Sequence, residues 1–150
     1  MIKNYYYLVA GILAILFSIT HAWNGQSIVL PSLNVDTITA DTKTTFFYVW
    51  HIITAENMLF GFSFLFMSVH KDLSKVRFAA WMIAILMIVR LIVILGGTLL
   101  YNASGLKNTV IDSIAIVLYV SLIVLGISVK DKQIGAFKKG LNTEGAYFQK

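Results

Sequence analysis

The sequence predicts an all-α fold, an integral membrane four-helix bundle with antiparallel up-down topology. Hydrophobic residues make up 58% of the 150 residues and charged residues 13%, and the mean hydropathy is +0.79. Soluble domains have about 45–50% apolar and about 25% charged residues. Four apolar runs, each near the ~20 residues that a helix needs to cross a bilayer, alternate with polar segments. Lipid offers the backbone no hydrogen-bond partners, so such runs must be helical.

The four predicted spans cover residues of about 5–23, 45–69, 78–100 and 109–129. In the first span Ala10, Ala14 and Ser18 recur at every fourth position, so they share one face of a helix. Small side chains let two helices approach closely in lipid, where no hydrophobic force draws helices together. We therefore expect this face to pack against a neighbouring span.

The connections between the spans constrain how they pack. Residues 24–43 are predicted to form the long loop of the chain. The second helix is expected to begin at Thr44 or Thr45, because a threonine hydroxyl can cap the free N–H groups of a first turn. The link at 71–77 is short, so the second and third spans are predicted to be antiparallel neighbours.

Basic residues are unevenly distributed along the chain. Nine Lys and Arg lie in the first residues, the 71–77 link and the 130–150 tail, whereas the 24–43 and 102–107 loops hold one each. The positive-inside rule then predicts that both termini are cytoplasmic and the 24–43 loop external. The net charge of +5 is thus interpreted as a topology signal of an inner-membrane protein in a lipid bilayer, with no nucleic-acid partner. The 130–150 tail is predicted to be a basic cytoplasmic segment.

Polar residues inside the apolar runs are the candidate functional residues, because burying such groups in hydrocarbon is costly unless they find partners. Counted from the expected outer ends at about 1.5 Å per residue, Glu56 lies about 16 Å deep and Arg90 about 15 Å deep. We predict an ion pair between them near mid-membrane. The pair either has a structural role, in which it holds the second and third helices together, or a functional one. In the functional role Arg90 holds an anionic ligand, or Glu56 relays protons along a path in which Asn57 is a further polar group.

A second polar layer is predicted nearer the outer surface, where His21, Asp112 and His51 lie at depths of about 3, 6 and 9 Å by the same count. Two histidines and one carboxylate are a ligand set for zinc or non-haem iron. His21 and His51 are also candidate axial ligands of a haem. Simpler roles remain open: hydrogen-bonded histidines, and a capping box of Thr109 with Asp112. The chain has no cysteine, so histidines and carboxylates must carry any chemistry.

Two segments, THAWNGQSIVLPSL at the end of the first span and FYVWHIITAENMLFG in the second, resemble a group of small uncharacterised bacterial four-span membrane proteins. In that group a helix-one His is followed by Gly and later Pro, and a Trp-His pair opens helix two. The matching residues here are His21, Gly25, Pro31, Trp50 and His51. The resemblance covers about the first 65 residues and implies no activity.

These features predict a multi-pass inner-membrane protein that binds a small ligand, ion or proton at an outward-facing polar site within the membrane. Two other classes stay open: a metal- or haem-dependent membrane oxidoreductase, and a structural or accessory subunit of a membrane complex. The second span is polar on several sides, so a homo-oligomer is also considered. The predicted ligand-binding residues are His21, His51, Glu56, Asn57, Arg90 and Asp112.

Overall fold

The computed structural model describes residues 1–129, and they are all-helical apart from short connections. The predicted tail at 130–150 lies outside the described residues. Within 1–129, four helical segments are long and apolar enough to cross a membrane, which is the make-up of a multi-pass membrane protein. The long helices are α1 (Tyr5–Asn24), α2 (Ala40–Val69), α3 (Leu73–Tyr101) and α4 (Leu106–Ser128).

The helical path of α1 continues beyond its predicted end. A π-helical segment, Gly25–Val29, and a helical turn, Leu30–Ser32, follow directly. Pro31, which has no backbone N–H to donate, lies in this turn shortly before the helical path ends. The prediction of a loop throughout 24–43 was therefore wrong, and the non-helical turn is confined to residues 33–39.

The start of α2 also precedes its predicted position. Its N-cap is Thr39, whose hydroxyl oxygen accepts a hydrogen bond from the Thr42 N–H at 3.3 Å. The prediction of a cap at Thr44 or Thr45 was wrong, because polar residues form the first turn of the helix and carry no apolar pattern. At about 1.5 Å per residue, the 30 residues of α2 extend about 45 Å, which exceeds a hydrocarbon core of about 30 Å. The first turns of α2 can therefore extend beyond the hydrocarbon.

The start of α4 differs from the prediction in a similar way. This helix begins at Leu106, and the Thr109 hydroxyl donates to the Leu106 carbonyl oxygen at 2.9 Å. Thr109 is thus inside the first turn and does not cap it. The capping box predicted for Thr109 and Asp112 was wrong, and Asp112 lies exposed in the second turn.

The core of the molecule is built around α1. Its small residues Ala10, Ala14 and Ser18 are almost completely buried, which confirms the predicted packing face. Gly11 approaches α2 so closely that an added Cβ would lie 2.9 Å from the Gly61 carbonyl oxygen. Small side chains therefore set the distance between α1 and α2.

The helices pack mainly as two pairs, α1 with α2 and α3 with α4, and α1 also contacts α4. Only residues 70–72 separate α2 from α3, yet these two helices share few contacts. The prediction that they are close neighbours therefore holds only locally. Instead α2 packs closely along the small-residue face of α1, and a seam remains between α2 and α3.

Polar side chains join the helix ends beside the start of α1. Asn4 donates from Nδ2 to the Gly126 carbonyl oxygen at 2.7 Å, and its backbone N–H donates to the Ser68 carbonyl oxygen at 3.1 Å. Arg77 donates from Nη2 to the Val129 carbonyl oxygen at 2.7 Å. The last carbonyl groups of a helix have no partners within it, so these bonds satisfy groups that would otherwise need water.

Candidate functional site

The predicted ion pair joins α2 and α3 across the seam between them. Arg90 Nη2 lies 2.6 Å from Glu56 Oε2, and Arg90 Nη1 donates to Asn57 Oδ1 at 2.9 Å. Hydrogen bonds between charged groups are shorter and roughly twice as strong as neutral ones. Because Arg90 lies in the most apolar of the four helices, these bonds offset the cost of placing its charge there.

The pair is enclosed unevenly by the protein. The Arg90 side chain is 21% exposed, whereas that of Glu56 is 48% exposed. Among residues 1–129, Glu56 Oε1 has no hydrogen-bond partner, so only one carboxylate oxygen is engaged by the chain. The guanidinium is therefore held on two sides, while the carboxylate presents a free oxygen at the surface of the helix pair.

Trp50 connects α2 to the end of α1. Its indole Nε1 donates to the His21 carbonyl oxygen at 2.9 Å. Its ring stacks on the His21 imidazole with centroids 4.3 Å apart and planes 5° from parallel. Gly25 permits this contact, because a Cβ at that position would overlap the indole. His21 Nε2 is buried and has no hydrogen-bond partner among the described residues.

His51 lies beside this contact and is bonded to Gln26 of the π-helical segment. The Gln26 Nε2 and His51 Nε2 atoms are 2.8 Å apart, and the ring of Phe47 meets the His51 ring edge-on with centroids 4.6 Å apart. An amide nitrogen only donates, so this contact is a hydrogen bond from Gln26 to His51 in the tautomer whose Nε2 accepts. Single π-helical turns are often found at functional sites.

Gln26 was not among the predicted site residues. Its segment was predicted to be a loop, and a loop residue has no fixed position relative to His51. The available signal was its place directly after Gly25, inside the segment that carries the resemblance.

No known protein family, curated protein or solved structure matches this chain.

The residues predicted to bind a metal do not form a metal centre. Among residues 1–129, no group of three or more His, Asp or Glu side chains is placed to hold a metal ion. Asp112 is exposed and has no hydrogen bond or ion pair within the described chain. The set His21, His51 and Asp112 is thus not assembled. The His21 ring stacks on Trp50 and the His51 ring is bonded to Gln26, and haem ligation by these two histidines stays a prediction.

Proposed function

We propose that this chain is a multi-pass inner-membrane protein that binds a small ligand, ion or proton at an intramembrane site open to the outer side. The observation that carries the proposal is the pair of Arg90 and Glu56, with 2.6 Å between Nη2 and Oε2 and a Glu56 side chain that is 48% exposed. Ionisable residues within membrane spans are expensive and mark functional sites. A pair that only locked two helices would gain nothing from an open carboxylate.

The proposed topology is an antiparallel up-down bundle with cytoplasmic termini. Asn4, just before α1, bonds to Gly126 near the end of α4, and His21 near the end of α1 contacts Trp50 in the first half of α2. Such contacts are expected when packed helices run in opposite directions. The distribution of Lys and Arg supports the orientation.

The pair of Glu56 and Arg90 has hydrogen-bonding atoms that the chain leaves free for a ligand. Glu56 Oε1 is available to a cation, a proton or a hydroxyl group, while Arg90 retains guanidinium N–H groups for an anion. Protonation of Glu56 would weaken its bond to Arg90 and leave the guanidinium held mainly by Asn57. Proton binding and anion binding are therefore coupled through one guanidinium.

The outer part of the proposed site consists of the histidines. His21 and His51 lie where the π-helical segment meets α2, with an unpartnered His21 Nε2 among the described residues.

The proposal is tested with the full chain in lipid nanodiscs, by thermal unfolding across steps of pH and a panel of inorganic cations, inorganic anions and small carboxylates. At least one solute or pH step is expected to stabilise the wild type. The paired variant Glu56→Gln with Arg90→Met, which leaves neither charge unpaired, is expected to lose that response. The proposal fails if no condition separates the two proteins.

An accessory subunit or homo-oligomer is the second candidate function. Only 22 to 28% of each apolar window is buried within the described chain, and the Glu56 carboxylate faces away from the core. Lipid covers apolar side chains well but covers a carboxylate poorly. A second copy or another membrane subunit against α2 would remove that cost.

A further inference from the structure

A cavity of about 410 Å³ lies where the end of the first helical segment turns into α2. This volume is within the range of about 300 to 1,000 Å³ usual for small-molecule sites. It is separate from the Glu56–Arg90 pair, and none of the predicted site residues lines it. The lining residues are Gln26, Leu30, Pro31, Leu33, Asn34, Lys43, Thr44 and Phe47.

The polar part of this lining is rich in hydrogen-bond donors. Within residues 1–129 the ion pairs are those of Asp72 with Lys75 and Glu56 with Arg90, so the Lys43 ammonium has no ion-pair partner there. The Asn34 side chain also makes no hydrogen bond in the described chain, and no acidic side chain lines the cavity. A free ammonium beside a free amide, without a carboxylate, favours an anion.

The rest of the lining is apolar and continuous with α2. Leu30, Leu33 and Phe47 form one wall. Phe47 and Gln26 also line an open groove that reaches His51, so the apolar wall continues toward the membrane. A ligand with a charged head and a short hydrocarbon part would match both halves of this cavity.

We propose that this cavity binds a small amphipathic anion. The carboxylate or phosphate head is held by Lys43 and Asn34, and the apolar part lies against Leu33 and Phe47. The same head-group chemistry is found on free amphiphiles and on anionic lipids, and the experiment separates these two sources.

The test measures equilibrium binding of radiolabelled octanoate to the full chain in phosphatidylcholine nanodiscs, with empty nanodiscs to correct for partition into lipid. Saturable binding is expected for the wild type and for Lys43→Arg. Loss of a charge-assisted hydrogen bond in Lys43→Gln is expected to weaken binding about tenfold. Uncharged octanol should not compete. Lys107→Gln removes the same charge from an exposed position that does not line the cavity, and it should bind as the wild type does.

Two further variants keep the test decisive. Leu33→Trp fills the cavity without changing its charge and should abolish saturable binding. Glu56→Gln with Arg90→Met should leave the Lys43-dependent part of octanoate binding unchanged, so failure of the intramembrane site would not be mistaken for failure of this one. Repeating the octanoate measurement in phosphatidylglycerol nanodiscs identifies the source of the anion. Competition between phosphatidylglycerol and octanoate that depends on Lys43 indicates that the site takes a lipid head group. Undiminished octanoate binding indicates that the site takes a free amphiphile. Absence of saturable binding, or equal weakening by Lys43→Gln and Lys107→Gln, would overturn the proposal.

Discussion

At the scale of single residues, Glu56 and Arg90 hold charges in a medium that does not solvate them. Removing one charge leaves the other unpaired, which costs about 3 to 5 kcal/mol in buried pairs, whereas removing both is often nearly neutral. We therefore expect Glu56→Gln and Arg90→Met each to lower the unfolding temperature, and the paired variant to recover most of the loss. Thermal unfolding in one neutral detergent measures all four proteins.

The double-mutant comparison also separates stability from function. Recovery of stability without recovery of ligand response indicates that the pair serves the site as well as the fold. Additive losses in the paired variant would contradict a direct interaction, because independent sites add.

Asp72 makes a second prediction at this scale, outside the membrane-spanning segments. It caps α3 by accepting hydrogen bonds from the Ser74 hydroxyl at 2.5 Å and the Ser74 N–H at 3.1 Å. The Ser74 hydroxyl, with smaller contributions from the Ser74 N–H and Lys75, lowers the pKa of Asp72. A lowered folded pKa contributes stability above the usual value of about 3.9, and this contribution is lost as pH falls through the folded value.

Asp72→Asn keeps a good N-cap but does not titrate. We expect the unfolding temperature of the wild type to fall more steeply than that of Asp72→Asn below about pH 4, and the two to run parallel near neutrality. Parallel curves throughout the acid range would show that the Asp72 carboxylate does not contribute to the acid sensitivity.

At the scale of the elements, the contact between α1 and α2 depends on glycine. A Cβ at Gly61 would lie 2.5 Å from Ile15 Cγ1 and 3.0 Å from the Gly11 carbonyl oxygen. Since overpacking typically costs about 1 to 3 kcal/mol, Gly61→Ala should lower the unfolding temperature.

Gly97 provides the matched control in α3. Among the described residues, a Cβ there would meet no atom within 4 Å. Gly97→Ala should therefore be neutral or stabilising, since alanine is favoured over glycine in helices by about 1 kcal/mol. Equal destabilisation by both substitutions would argue against close α1–α2 packing as the cause.

At the scale of the whole molecule, orientation follows from the positions of Lys and Arg. A fluorescent protein fused at Lys150 should be active in the cytoplasm, and alkaline phosphatase inserted within 33–39 should be active outside the inner membrane. The insertion is placed at 33–39 because the preceding residues are helical. An external C-terminus would mean that the site opens to the cytoplasmic side and would contradict the proposed orientation.

The exposed face of α2 makes a prediction about assembly. Leu59, 63% exposed and three residues after Glu56, lies on the face that a second copy would cover. The chain has no cysteine, so Leu59→Cys introduces a single thiol. Oxidation in membranes should give a covalent dimer, whereas Ile111→Cys, at a 77% exposed position of α4, should remain monomeric. Monomer alone for both variants would count against a second copy on this face.

Some features of this protein could be predicted from its sequence, and others could not. Four membrane-length helices, the small-residue face of α1 and the pairing of Glu56 with Arg90 were all predictable. Hydrocarbon forces the backbone into helices, and it leaves a mid-span arginine few partners besides an acid at similar depth. The existence of the four helices and the inner pair therefore follow from the sequence, although the helix ends do not.

The outer part of the site could not be predicted from the sequence, because it depends on where the helices end and how they pack. Where a helix extends beyond hydrocarbon its residues become polar, so apolar patterning did not reveal the continuation through Gly25–Val29 or the early start of α2. That continuation places Gln26 against His51, whereas the contact of Trp50 with His21 depends on how closely α1 and α2 approach. The approach is set by Gly11 and Gly61 acting together, and no periodicity within one helix specifies which glycine of another it will meet.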